Sequence, residues 1–260
     1  MRIFFHCLQA EWLKKKRSLG SWLVVVGSLF TPAIVLVVRL LHPASLPALY
    51  ANSAFWTSLW KSSWESMSIF FLPMAAILST SLITQIEYRN NAWKQVRTLP
   101  LPPLTLFLAK LAVIAILMIE FFALFDLGVY LSAILPSLLI PGVPYPAQPL
   151  PVWAFLADTG VYMVACLPIV ALQYLLSLQF KNFLVPVGVG FMTWVAALAA
   201  LSTKFSWLIP YAYTMLHYLK DDAKGRVQLP TSQLQGMSLG YTLLFLAVGY
   251  ILFANQKQQG

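Results

Sequence analysis

Charge is what this chain has least of. Only 10% of its 260 residues are Asp, Glu, Lys or Arg, against 60% hydrophobic, and the mean hydropathy is +0.76. A water-soluble domain carries about 25% charged residues, so that class is excluded. Cysteine is scarce too: Cys7 and Cys166 stand far apart, with no CxxC pair for a metal or redox centre. The three histidines, His6, His42 and His217, all fall outside the long apolar runs, which excludes a histidine-built haem or metal site inside a membrane. No G-x-x-x-x-G-K-[ST] occurs, so the chain has no phosphate-cradling loop and cannot itself be an ATPase. No catalytic residue, metal ligand or cofactor is assigned to it.

What is present is length without charge. A span takes about 20 mostly apolar residues to cross roughly 30 Å of hydrocarbon. Residues 18–38, 66–86, 159–180, 182–203 and 227–256 are free of Asp, Glu, Lys and Arg. A further segment, 104–135, is apolar but carries Lys110, Glu120 and Asp126. These windows predict an all-α integral membrane protein. They give one transmembrane domain over 1–260, with six helices at about 19–41, 66–86, 104–135, 152–178, 183–203 and 236–254. The basic run Lys14-Lys15-Lys16-Arg17 ahead of the first helix imitates a secretory leader. A leader's apolar region is about 7–15 residues; this one is 21 and is expected to stay as an anchor.

With the N-terminus inside, eleven of the seventeen basic residues lie on inner segments. Arg39, Lys61, Lys204, Lys220, Lys224 and Arg226 lie on outer loops. The bias is strongest around the first helix, which places both termini in the cytoplasm of a cell-membrane protein. Attraction to anionic headgroups then accounts for the formal charge of +9, and nucleic acid is not needed as a partner.

Residues 1–17 predict an amphipathic helix in the interface plane. At 100° per residue Ile3, Phe4, Phe5, Cys7, Leu8 and Trp12 share one arc, and Arg2, His6, Gln9 and Lys16 the other. Glu11 falls inside the apolar arc. Either it reaches water or pairs with Lys14 or Lys15, or it meets a partner protein or a basic residue of segment 87–100. Trp56, Trp60 and Trp64, at four-residue spacing beside Lys61, put three indoles on one helical face. With Trp12 they are expected to be interfacial anchors at headgroup level; a substrate-binding wall is the other use of such a face. Six prolines between 136 and 151, with no charge among them, predict a stiff extended connection. Gln179-Phe180-Lys181-Asn182 predicts a tight hairpin. Segment 204–235 is too long for a turn and predicts a short external or re-entrant helix shielded by protein.

The most hydrophilic run is Glu87-Tyr88-Arg89-Asn90-Asn91-Ala92-Trp93-Lys94-Gln95-Val96-Arg97-Thr98-Leu99-Pro100. Charge, two amides, a tryptophan and a proline stop between two oily segments suit a docking element for a soluble partner. Lys110, a turn or two into the third span, is expected to snorkel back to the surface. Glu120 lies about 15 Å deeper, near the bilayer centre, where an ionised acid is costly. Asp126 is six residues on, at 240° net, and so on a different face. A polar contact for cargo or a protonation site is the functional use of such acids. The structural use is a hydrogen bond to a neighbouring helix such as the fourth, which carries Gln173.

The spacing Glu87-x-x-Asn90-Asn91-x-Trp93-Lys94-x(5)-Pro100-x(9)-Lys110 resembles the first cytoplasmic loop of type 2 ABC exporter permeases, in the lantibiotic-immunity and bacitracin-resistance branch. Glu11-Trp12-x-Lys14-x-x-Arg17-Ser18 and Leu172-Gln173-Tyr174-x(2)-Ser177-Leu178-x-Phe180-Lys181-Asn182-x(3)-Pro186-x-Gly188 are similar to further stretches of that family. The resemblance implies a six-helix permease that dimerises with itself or a sister permease. It also implies a separate ABC ATPase subunit that holds ATP and Mg. Contact with that subunit would run through the N-terminal helix, with Glu11, and a cytoplasmic coupling helix between helices 2 and 3. There Trp93 would be the apolar anchor, Lys94 and Arg97 the charged rim, and Asn90, Asn91 and Pro100 the frame, with Glu87 at its edge. The implied cargo is a hydrophobic or antimicrobial peptide, or a lipid-like compound, expelled for self-immunity. Two other classes stay open: an ion-coupled secondary transporter using Glu120 and Asp126, and a non-transporting membrane scaffold subunit.

Overall fold

A computed structural model describes residues 2–15, 18–89, 101–220 and 229–258, and among these every regular element is helical. The N-terminal helix α1 spans Arg2–Lys15. The first long helix, α2, Leu19–Leu41, starts where the Ser18 hydroxyl accepts the Ser21 N–H at 3.3 Å, a side-chain cap that satisfies an otherwise orphan donor. Short α3 (Leu46–Ala51) leads to α4 (Phe55–Ser66), a π turn at Met67–Phe71 and α5 (Leu72–Thr84). The last three run on as one 30-residue helix. The second long helix therefore begins at Phe55 rather than at 66, and the tryptophan face is its first three turns.

Pro73 explains the π turn and what the turn does. The Leu72 N–H bonds Met67 O, five residues back, and Pro73 has no N–H to give either Ser68 O or Ile69 O. Those two carbonyls are satisfied from outside the helix, by Thr214 Oγ1 at 2.9 Å and Trp194 Nε1 at 2.8 Å. One imino acid thus creates two tie points for the later part of the chain.

After α6 (Ile86–Arg89) comes α7, Pro103–Leu139, which opens with proline at its first position, where the missing N–H costs nothing. At 37 residues it is about 55 Å long. It includes Pro136, so only the later prolines form the extended connection. Helix α8 (Val152–Gln179) and α9 (Leu184–Ala200) are joined by the expected tight hairpin, where Asn182 Oδ1 accepts the Leu184 N–H at 3.0 Å. The last helix among the described residues is α11, Thr231–Gln258, which starts five residues before the expected boundary. Among the described residues five helices are long and apolar enough to cross a membrane; α9, with 17 residues, is shorter.

Segment 204–220 folds back into the bundle. After two 3₁₀ turns comes α10, Tyr213–Tyr218. The Tyr211 hydroxyl accepts from Gln173 Nε2 at 2.8 Å, whereas His217 meets Asp158. Tyr211 and His217 are six residues apart, but their partners on α8 are fifteen apart, about 22 Å along the axis. The segment therefore dips into the bundle and climbs out, and Tyr211, Ala212 and Met215 are fully buried. This backbone is shielded by protein, as non-helical chain at such depth must be.

Helices α5, α7 and α8 form the centre, with α2 against α5 and α7, and α11 along α8. Two glycines permit close approach. A Cβ on Gly128 of α7 would stand 2.9 Å from Pro32 Cβ on α2, and one on Gly190 of α9 would stand 1.9 Å from Gln173 Nε2.

Candidate functional site

Helix α1 docks through only part of its apolar arc. The stripe it buries is Cys7, Glu11 and Lys15, one residue per turn, while Ile3, Phe5 and Leu13 are more than half exposed. Glu11 lies inside the arc because that face meets α7, where Lys110 waits. Lys110 Nζ donates to Glu11 Oε2 and Glu87 Oε1, both at 2.7 Å, and Lys14 Nζ donates to Glu11 Oε1 at 2.5 Å and Glu87 Oε1 at 2.9 Å. The four side chains form a closed ring of alternating charge with no net charge, joining α1, α6 and α7. Lys110 does not snorkel to the surface as expected; its side chain is 2% exposed, held by two carboxylates.

Burial opposes the charge on Glu87, but Lys110 and then Lys14 outweigh it and hold the carboxyl below its usual range. Burial also opposes the Lys14 ammonium; Glu87 and Glu11 outweigh it and raise Lys14 above the usual lysine value. Removing one partner from such a buried set costs about 3–5 kcal/mol, because it strands a charge. The ring therefore makes α1, α6 and the start of α7 one mechanical body. Glu87 Oε2 is buried with no hydrogen-bond partner among the described residues, three residues before the segment that carries Asn90, Asn91, Trp93, Lys94, Arg97 and Pro100. That segment, and with it the expected coupling helix, lies outside the described residues.

Lys15 forms a second ionic contact between α1 and α7. Its Nζ donates to both carboxylate oxygens of Glu120 at 2.5 and 2.6 Å and lies 3.9 Å from the centre of the Trp12 ring. Glu120 is thus tied to a lysine four residues ahead of α2, and its side chain is 39% exposed. Among the described residues it makes no bond to helix α8.

The three acids and amides expected inside the membrane share no hydrogen-bond partner. Asp126 accepts from Thr159 Oγ1 at 3.2 and 3.0 Å. Gln173 receives the Ser81 hydroxyl at 3.2 Å and donates to Tyr211, a buried set that continues through Ser177. At the other end of the bundle the three indoles turn inward rather than out: Trp56, Trp60 and Trp64 are 5%, 8% and 1% exposed. Trp64 stacks on Tyr162 at 3.6 Å and Trp60 on Phe155 at 4.1 Å. A headgroup-facing anchor is corrected to a buried aromatic wall, because α4 continues straight into α5 and shares its inner face.

Sequence reasoning passed over Asp158. It accepts Trp60 Nε1 at 2.8 Å and pairs with His217 Nε2 at 2.8 Å. The signal was available: Asp158 is the single charged residue between 152 and 180, inside the stretch expected to span, where a lone acid calls for a partner.

A search of curated proteins finds no match to the chain. A protein-family model described as ABC-2 family transporter protein matches residues 7–197, about three quarters of the sequence. The match runs from Cys7 in α1 to Ala197 in α9 and so takes in every member of the ionic ring. With several membrane-length apolar helices and that match, the chain belongs to the ABC-2 family of transporter proteins, as a membrane permease subunit.

Proposed function

We propose that this permease is the membrane half of an ATP-driven exporter, with six spans, both termini in the cytoplasm of a cell-membrane protein, and a separate ABC ATPase docked at α1 and segment 90–100. The alternating-charge ring carries this reading. It fastens α1, α6 and α7 together at the point where segment 90–100 leaves α6, so a push on that segment moves the start of the longest helix in the bundle. Trp93 serves as apolar anchor and Lys94 and Arg97 as charged rim, while Glu11 and Glu87 act from behind, holding the helices the segment pushes. The exposed Ile3, Phe5 and Leu13 of α1 suit it to lie at the membrane interface. A second copy or a sister permease completes the pathway, and rigid-body motion of the halves gates it. The cargo is a hydrophobic or antimicrobial peptide or a lipid-like compound; ATP and Mg belong to the partner.

The test is purification of the tagged chain in mild detergent, with mass spectrometry of what accompanies it and an assay for vanadate-sensitive ATPase. A stoichiometric Walker-motif protein, whose ATPase activity no longer drives transport when Trp93 and Arg97 are replaced by alanine, is the expected result. A chain that purifies alone, without ATPase activity in any condition, overturns the proposal.

A further inference from the structure

A cavity of about 100 Å³ opens between α4, α7 and α8. Its walls include the rings of Trp56, Trp60, Tyr130 and Phe155, and its one charged wall residue is Asp126. Trp56 and Tyr130 lie parallel with centroids 6.3 Å apart. Asp126 carries one hydroxyl bond, from Thr159, and no basic side chain pairs with it among the described residues. The neighbouring acid, Asp158, is already matched by His217 and Trp60. In a chain of net charge +9, this leaves an acid without a basic partner among the described residues at the wall of an aromatic-lined cavity.

That combination selects its occupant. An anion meets only the acid, and a neutral apolar group leaves the poorly solvated acid to hold its proton and draws no attraction from it. An ammonium satisfies both features, because aromatic faces attract a cation through their quadrupole. Size narrows the choice: an apolar cavity of about 150 Å³ holds a benzene-sized body, so 100 Å³ takes a head group rather than a whole amphiphile. The mouth says where the remainder goes. Tyr130, Val152 and Leu156 are 40%, 45% and 50% exposed, and Leu127 and Leu131 continue that exposed apolar strip along α7. We propose that the cavity binds the ammonium head of a cationic amphiphile whose hydrocarbon tail lies along the exposed seam of α7 and α8.

The site stands without the ATPase, and its test uses none, so its failure and that of the exporter reading are separable. The full chain is placed in nanodiscs of uncharged glycolipid, free of ammonium headgroups. Decyltrimethylammonium and its neutral tert-butyl isostere are then titrated by calorimetry. The wild type should bind the cation about tenfold or more tighter than the isostere. Asp126→Asn, which keeps the shape and the Thr159 bond, should reduce the cation to the isostere's affinity and leave the isostere unchanged, which also shows that the variant is folded. Leu156→Trp, at the exposed mouth, should weaken both. Equal affinities in the wild type, or a cation affinity untouched by Asp126→Asn, overturn the proposal; if that variant does not fold, the wild-type preference and the Leu156→Trp block decide alone. Phosphatidylcholine added to the discs identifies the source: competition assigns the ammonium to bilayer lipid, and no competition assigns it to a freely diffusing or transported amphiphile.

Discussion

Lys110→Met removes one of the two cations of the ring while keeping a side chain of similar reach. Both carboxylates it serves are buried, Glu11 at 4% and Glu87 at 2% exposure, whereas Lys14, 33% exposed, still touches each. Stranding a buried charge costs about 3–5 kcal/mol. Because Lys14 still offsets one of the two acids, the lower figure applies, about 3 kcal/mol. The loss falls on contacts that join α1 to α7, so α1 should undock before the bundle unfolds. At 1.4 kcal/mol per decade this raises the undocked fraction about 100-fold. Cys7 reports the event. It is buried on the docked stripe, and burial, with the charge of Glu11 added, holds its thiol above the usual range, so its reactivity is lowered while α1 is seated. Maleimide labelling of Cys7 in a Cys166→Ala background should accelerate about 100-fold in Lys110→Met. Further exchange of one acid, Glu11→Gln, leaves the Lys14–Glu87 pair and a ring with no net charge, and should return most of the protection, since neutralising a buried ionic set is far cheaper than breaking it. Labelling of Lys110→Met within about threefold of the parent would refute the reasoning, because α1 would then be held by something other than the ring.

The same label gives the pH dependence. Glu87 is depressed below its ordinary value of 4.5, so its contribution is complete above that pH and disappears as pH falls through the lower folded value. Lys14 is raised above 10.5, so its contribution is complete below that pH and disappears as pH rises through the higher one. Protection of Cys7, normalised to the unfolded chain at each pH, should be flat between these limits and fall outside them. Gly190→Ala puts a methyl 1.9 Å from Gln173 Nε2 and should cost about 1–3 kcal/mol by displacing that amide from Tyr211 and Ser81. Gly188→Ala, with nothing within 4 Å, should leave the thermal midpoint in detergent unchanged or slightly higher, and equal losses from both would refute the assignment. Trp194→Phe removes the donor to Ile69 O and should lower stability by about 1 kcal/mol, read by the same melting curves.

Helix existence was legible because it depends on composition along the chain, and helix environment was not because it depends on what lies across from it. The tryptophan spacing at 56, 60 and 64 specifies one face of one helix. Whether that face meets headgroups or protein is decided by α4 running unbroken into α5, which in turn rests on Pro73 being absorbed by a π turn instead of ending the helix. Nothing local announces that outcome, since proline inside an apolar run signals a break just as readily. The return of segment 204–220 into the bundle is similar: its length gave the short helix, but its depth is set by Tyr211 finding Gln173.

The acids illustrate the limit most clearly. Glu11, Lys14, Glu87 and Lys110 were each visible, and two were singled out for facing a partner protein, but sequence separation hides that they converge. Glu11 and Lys110 are 99 positions apart and Glu87 and Lys14 are 73, so no helical periodicity connects them. The one local clue was the acid in the apolar arc of α1. An ionisable side chain on the face a helix buries implies an opposite charge on the surface it meets, and in this chain the apolar helices offered few. Lys110 was the single lysine within the apolar segment from 104 to 135. Charge scarcity, which ruled out so many functions, also made the pairing nearly forced: where a membrane chain buries a carboxylate, the few buried cations left to meet it narrow the search to a handful of contacts.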